Sequence, residues 1–176
     1  MLNLLYLPIA NEQKCLIYYI DSHSGKLSLY KQQSFTSQPW QLCADPNQKY
    51  LYQTIRDKNF GGIITFKINQ QNGDIDKIGE IELKTTAVYI NTDRTGRFIL
   101  CAYMIPGMVT VHRIKDNGTI DDKIIDTHKT DMYAHYISTD PLNRLLLFHM
   151  YIQLTQFFVS YSTKKLANLK PITIHE

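Results

Sequence analysis

The sequence predicts an all-β chain built as a partial β-propeller, and three observations predict it. An Asp that ends one apolar strand and opens a short turn recurs at Asp45, Asp93 and Asp140, 48 and 47 residues apart. A turn glycine recurs in a different part of the unit at Gly25, Gly73 and Gly118, 48 and 45 residues apart. Several strands, RFILCAY (Arg97 to Tyr103) and RLLLFHM (Arg144 to Met150) among them, are apolar on both faces. A fixed period in the forties carried by strands and turns is the mark of propeller blades. A sheet apolar on both faces must be covered on both, which blades stacked around an axis achieve. A two-sheet sandwich would show cleaner alternation, and no stretch keeps helical periodicity beyond about two turns.

The elements follow in order. Leu4 to Ile9 and Cys15 to Ile20 read as the first two strands, and Lys26 to Leu29 as the third after the turn at Gly25. Glycine there supplies the positive φ that a tight hairpin needs. The second unit reads Trp40 to Ala44, Tyr50 to Ile55, Ile63 to Ile68 and Ile75 to Leu83, four short strands. The third repeats it, with VYINTDRTGRFILCAY followed by VTVHRI (Val109 to Ile114) and a turn at Gly118. The fourth begins with MYAHYISTDPLNRLLLFHM (Met132 to Met150) and then loses the pattern; Phe157 to Tyr161 and Leu169 to Ile174 are its expected last strands. The units divide the single domain at 1–35, 36–84, 85–128 and 129–176, about three to four antiparallel blades of up to four strands. The first blade lacks its innermost strand. Asp45, Asp93 and Asp140 occur in every unit and so read as turn formers and not as catalytic groups.

Composition excludes several classes. A 44% hydrophobic content with 20% charge is globular. The net charge of +3 is spread over scattered Lys, Arg, Asp and Glu, which does not point to nucleic acid. Cys15, Cys43 and Cys101 fall inside apolar strands without a CxxC pair, so they read as reduced core thiols of a cytoplasmic protein. The apolar start of the chain lacks a basic n-region and a cleavage site, and no run approaches the roughly 20 residues of a spanning helix. The histidines lack tight ligand spacing, and no G-x-S-x-G, phosphate loop or H-E-x-x-H occurs; no metal and no cofactor are expected. His112 stands where Phe66 stands in the repeat and reads as a packed strand side chain.

The runs TDRTGRFILCAY with VTVHRI, AHYISTDPLNR and YLYQTIRDKN, in that family's order from about Leu4 to Leu147, resemble the lactonase family of seven-bladed propellers, which includes 6-phosphogluconolactonase and the carboxymuconate cyclase-like proteins. The family's chains are longer, so the resemblance implies part of a ring, a truncated seven-bladed type. It departs after Arg144, where a Val-Pro-His-Thr-like run gives way to LLLFHMYIQ and only His149 stands near the family's His.

The resemblance implies hydrolysis of a sugar lactone at the mouth of the central channel. His135, five residues before Asp140, matches a family His. It would act as general base on a water, a role that suits an imidazole of ordinary pKa about 6.5. Arg56 matches a family Arg and would hold a substrate phosphate or carboxylate, or the developing oxyanion; pairing with Asp57 at the surface is its alternative. Tyr103, taken as the equivalent strand end one unit later, would bind the sugar by a hydrogen bond, with core packing as its alternative. Two functions stay open: a lactonase-like hydrolase acting on a small-molecule lactone, or a non-catalytic truncated propeller serving as an interaction or remnant module. Open apolar sides, with Leu16, Tyr18 and Ile20 on the first blade and Phe157, Phe158 and Tyr161 on the last, predict self-association or pairing with a second half-propeller chain. No nucleic acid or membrane partner is expected.

Overall fold

The computed structural model describes residues 2–56, 60–143, 145–150 and 158–162. Its strands form four antiparallel sheets. The first holds β1 (Leu4–Ile9), β2 (Lys14–Ile20) and β3 (Leu27–Ser34). The second holds β4 (Gln38–Ala44), β5 (Tyr50–Arg56), β6 (Gly61–Ile68) and β7 (Ile75–Leu83). The third repeats that order with β8 (Tyr89–Thr92), β9 (Phe98–Tyr103), β10 (Met108–Ile114) and β11 (Ile120–Lys129). The fourth holds β12 (Ala134–Thr139), β13 (Leu145–Met150) and β14 (Phe158–Ser162). Each sheet is a meander of successive neighbours, which is the blade of a propeller, and the chain is a partial β-propeller. Asp57, Arg144, Phe157 and the expected strand from Leu169 to Ile174 lie outside the described residues.

Two local devices set the repeat. The turn Asp gathers backbone donors around one carboxylate: Asp45 accepts from the N–H of Asn47, Lys49 and Tyr50, and Asp93 from those of Thr95, Arg97 and Phe98. This ties the end of an inner strand to the start of the next. The turn glycines between the third and fourth strands have φ of +69°, +73° and +86° at Gly25, Gly73 and Gly118.

Blades pack face to face. Tyr52, Ile63, Ile90, Ile99, Cys101 and Tyr103 belong to one core between the second and third sheets, and Leu100, Val109, Val111, Ala134 and Ile137 to another between the third and fourth. Leu51, Ile55, Ile64, Phe66 and Ile75 face the first sheet, with Tyr6 against them. A polar clamp repeats beside these cores. The Tyr6 hydroxyl donates to the carbonyl of Gly73 at 2.8 Å, and the Tyr52 hydroxyl to that of Gly118 at 3.0 Å. The first strand of each full blade is the inner one. β4, β8 and β12 lie side by side, with the Thr92 hydroxyl 3.3 Å from the Ala44 carbonyl and the rings of Tyr89 and Tyr136 4.8 Å apart.

Candidate functional site

Alternation of strand direction puts the starts of the inner strands, the ends of the second strands and the starts of the third strands on one face of the array. The Asp turns and the glycine turns lie on the other. The starts of the inner strands are irregular in the same way. In the second blade the pairing steps from Pro39↔Ile55 to Leu42↔Gln53, and in the fourth from Ala134↔Met150 to Tyr136↔His149, so each inner strand carries one extra residue there. In the third blade Val88 and Tyr89 both oppose Ala102. Such bulges re-aim a side chain. Counted back from the turn Asp, the residue in the bulge is Trp40, Val88 or His135, each preceded by a buried Pro39, Ala87 or Ala134.

His135 is exposed at this bulge on β12, beside the exposed Tyr136. Arg56 is exposed at the end of β5, opposite Gly61 and Gln38. Its guanidinium carbon lies 5.8 Å from the centre of the Trp40 ring. Arg56 also lines an open cleft of about 630 Å³ with Asn11, Gln13, Thr36, Ser37 and Gln38, and among the described residues no carboxylate shares that lining. Arg56 and His135 thus open onto the same face from blades separated by one other blade.

Tyr103 is placed differently. It is 2% exposed within the core between the second and third sheets, and its hydroxyl is 3.3 Å from that of Thr110. Burial raises its pKa, with the neighbouring Cys101 adding to the effect. Its packing reading is therefore the one the structure supports, and its hydroxyl is not presented to a solute. The cause is register. Leu42 pairs with Gln53 and Ile90 with Cys101, so Tyr103 is the counterpart of the buried Ile55, and Met104 that of Arg56. One residue along a strand exchanges the faces.

The buried thiols and the buried imidazole are shifted toward their neutral forms. Burial pushes the Cys15 thiol up to about 11 and that of Cys101 up to about 12, and Cys43 is likewise raised by burial. Buried thiols of this kind are poor nucleophiles. His112 is fully buried, donates from Nδ1 to the Asp121 carbonyl at 3.2 Å, and has its pKa lowered by desolvation. Among the described residues, no group of three or more His, Cys, Asp or Glu could hold a metal ion, and no helix is long and apolar enough to cross a membrane.

Trp40, exposed at the bulge of β4 beside Arg56, is a candidate that no sequence motif singled out. Its signal was in the sequence: it stands five residues before Asp45, as His135 stands five before Asp140.

The comparisons with known proteins agree with this architecture. The family model described as lactonase, 7-bladed beta-propeller matches residues 9–150. A 6-phosphogluconolactonase of Yersinia pestis (strain Pestoides F) is 28% identical over 144 residues, covering 81% of this chain and 41% of its own length. That of Yersinia enterocolitica serotype O:8 is 27% identical over 148 residues, covering 84% and 43%. The chain therefore spans about two fifths of the length of the curated relatives it matches. Among solved structures, a Lactobacillus plantarum protein superposes with a TM-score of 0.77 at 16% identity, over 98% of this chain and 51% of that one. The periplasmic gluconolactonase of Pseudomonas aeruginosa superposes with a TM-score of 0.68 at 16% identity, over 94% and 52%. At such identities the superpositions speak for the fold alone. With a family match across most of its length and the blade repeat in place, the chain belongs to the lactonase family of seven-bladed β-propellers.

Proposed function

We propose that this chain hydrolyses a small sugar lactone, with His135 as general base and Arg56 as the anchor for an anionic group of the substrate. The observation that carries the reading is the exposure of both side chains on one face, His135 at an inner-strand bulge, in a chain of this family. His135 takes a proton from water as its oxygen attacks the lactone carbonyl. The tetrahedral intermediate collapses, the ring C–O bond breaks, and the imidazolium returns the proton to the departing alkoxide. One water is consumed and one hydroxy acid formed. Arg56 meets a carboxylate or phosphate with a planar fork of donors. The relatives named 6-phosphogluconolactonase make the phosphorylated gluconolactone the first substrate to try.

The test is proton release during lactone opening. His135→Ala is expected to lower the rate on the order of 10²- to 10⁴-fold, as general-base removal does. Arg56→Gln is expected to raise KM for an anionic lactone more than for a neutral one. Both side chains are exposed, so the melting temperature should hold in either variant. No lactone opening by the unaltered chain at micromolar concentration overturns the reading.

The same reading includes a second copy of the chain as partner and a cytoplasmic setting. Support for the partner comes from the first sheet, whose outward face leaves Leu5, Leu7 and Leu29 at 37%, 41% and 58% exposure beside Leu16 and Tyr18. Within the chain, faces of this composition cover one another blade by blade. Support for the cytoplasm comes from three cysteines without a disulfide.

A further inference from the structure

We propose that Trp40 is the residue that positions the sugar, its indole stacking on the C–H face of the ring while Arg56 beside it takes the anionic substituent. The substrate class is then a polyhydroxylated ring or chain that carries a carboxylate or phosphate. The proposal rests on the lactonase reading only for the word substrate; the binding it describes stands without turnover.

Four observations converge on Trp40. It occupies the bulge of β4 that His135 occupies in β12, so the backbone turns both side chains out at the same point of the repeat. The irregularity is fixed, because the Gln41 N–H leaves the ladder and donates to the Thr54 hydroxyl at 2.9 Å. The indole is 42% exposed, although Trp is among the side chains that gain most from burial. Arg56 lies over the same ring, at 5.8 Å, and opens into a cleft whose described lining carries the hydroxyls of Thr36 and Ser37 and the amides of Asn11, Gln13 and Gln38.

The chemistry of these groups is complementary to one kind of ligand. An aromatic face takes the apolar C–H side of a sugar, a guanidinium takes an anion, and neutral donors and acceptors take hydroxyls. An apolar ligand would leave Arg56 and the cleft polar groups unmatched, and a bare anion would leave the indole unmatched. The repeat adds a further reason. The turn Asp is the same in the second, third and fourth blades, and the residue before the bulge is a small buried Pro39, Ala87 or Ala134. The bulge position instead holds an indole, an isopropyl and an imidazole at Trp40, Val88 and His135. The backbone irregularity that turns Trp40 out is the one that turns His135 out.

Trp40 is the chain's single tryptophan, so its emission reports on this site alone. The probes are 6-phosphogluconate, gluconate and inorganic phosphate, titrated against the full chain. The expected result is a saturable change of emission with 6-phosphogluconate and no matching change with inorganic phosphate at the same concentration. By calorimetry, Trp40→Leu is expected to weaken 6-phosphogluconate binding roughly tenfold and Trp40→Phe by a smaller factor, since an aromatic face remains. Melting curves check that both variants fold. Calorimetric binding with unchanged emission, equal affinity of Trp40→Leu and the unaltered chain, or no binding of any probe overturns the proposal. A response of Trp40 in a chain that opens no lactone supports it while the lactonase reading fails. Lactone opening with KM unchanged in Trp40→Leu does the reverse.

Discussion

At the scale of single residues, the site side chains are defined by what the blade does not require of them. Asp93 is the opposite case. Burial alone would raise its carboxyl, but donors from Thr95, Phe98 and Asn143 outweigh that and hold it below the ordinary carboxylate value. The Asn143 amide reaches it at 2.9 Å from the next blade, so this carboxylate joins two turns. His112 is a second buried group with a sign that can be worked out. Its folded pKa is lowered by desolvation, so the unfolded chain takes up a proton first as pH falls. Stability is then full above the unfolded value of about 6.5 and declines below it. The expected outcome is a melting temperature that drops between about pH 7.5 and 5.5 and drops less in His112→Phe. Phe66 already fills the equivalent place at 3% exposure, so the substitution fits the repeat. Equal pH dependence in the two proteins would show that His112 is not the titrating group. His112 was legible as a packed side chain from that equivalence alone. For Tyr103 the sequence left core packing and sugar binding both open, because a count of strand ends is blind to a single-residue shift between faces.

At the scale of elements, the glycines separate into two kinds with different causes. Gly73 and Gly118 serve turns, and their repeat was visible because a positive φ is a local demand on the chain. They carry a second demand that is not local. A Cβ on Gly73 would stand 2.2 Å from Leu4 Cδ1, and one on Gly118 2.4 Å from Tyr50 Cε1, both from the preceding blade. Gly61 is of another kind, and Gly107, at φ +77°, combines both. Gly61 begins β6 and Gly107 directly precedes β10, and each lies under the backbone that returns from the outer strand to the next inner one. A Cβ on Gly61 would meet Thr86 Cα at 2.5 Å, and one on Gly107 the Asp131 carbonyl oxygen at 2.7 Å. Sequence patterns for turns do not show the crowding at either, since it comes from another segment. Backbone cannot step aside as a flexible side chain can. Gly61→Ala is therefore expected to cost about 2–3 kcal/mol, a fall in melting temperature of about 5–10 °C for a chain of this size. Gly25→Ala has nothing within 4 Å of its Cβ and suffers only the strain of φ +69°, about 1 kcal/mol. Thermal melting of the two variants tests the order, and a larger loss in Gly25→Ala would contradict it.

At the scale of the whole molecule, the period in the forties was enough to read the blade repeat, because each blade is one supersecondary unit set by local turn chemistry. The sites between blades were less legible, since they depend on which faces and which bulges meet. Gly25 belongs to the same picture: the second and third blades have a neighbour pressed against the corresponding glycine, whereas among the described residues nothing lies within 4 Å of a Cβ on Gly25, and Leu5, Leu7 and Leu29 of the same blade are exposed. Sedimentation of the purified chain at micromolar concentration is expected to show self-association. Leu7→Lys with Leu29→Lys is expected to weaken it tenfold or more, given about 1.5–3 kcal/mol for each buried Leu side chain. A chain that sediments as a monomer at every concentration would rule out that partner. The inner-strand bulges have a separate consequence, for engineering. They act as equivalent sockets, one in each of the second, third and fourth blades, whose contents can be exchanged while the core behind them stays packed. Val88 fills the socket between those of Trp40 and His135, and it is the place to graft a new acid, base or ligand-reading group onto this scaffold.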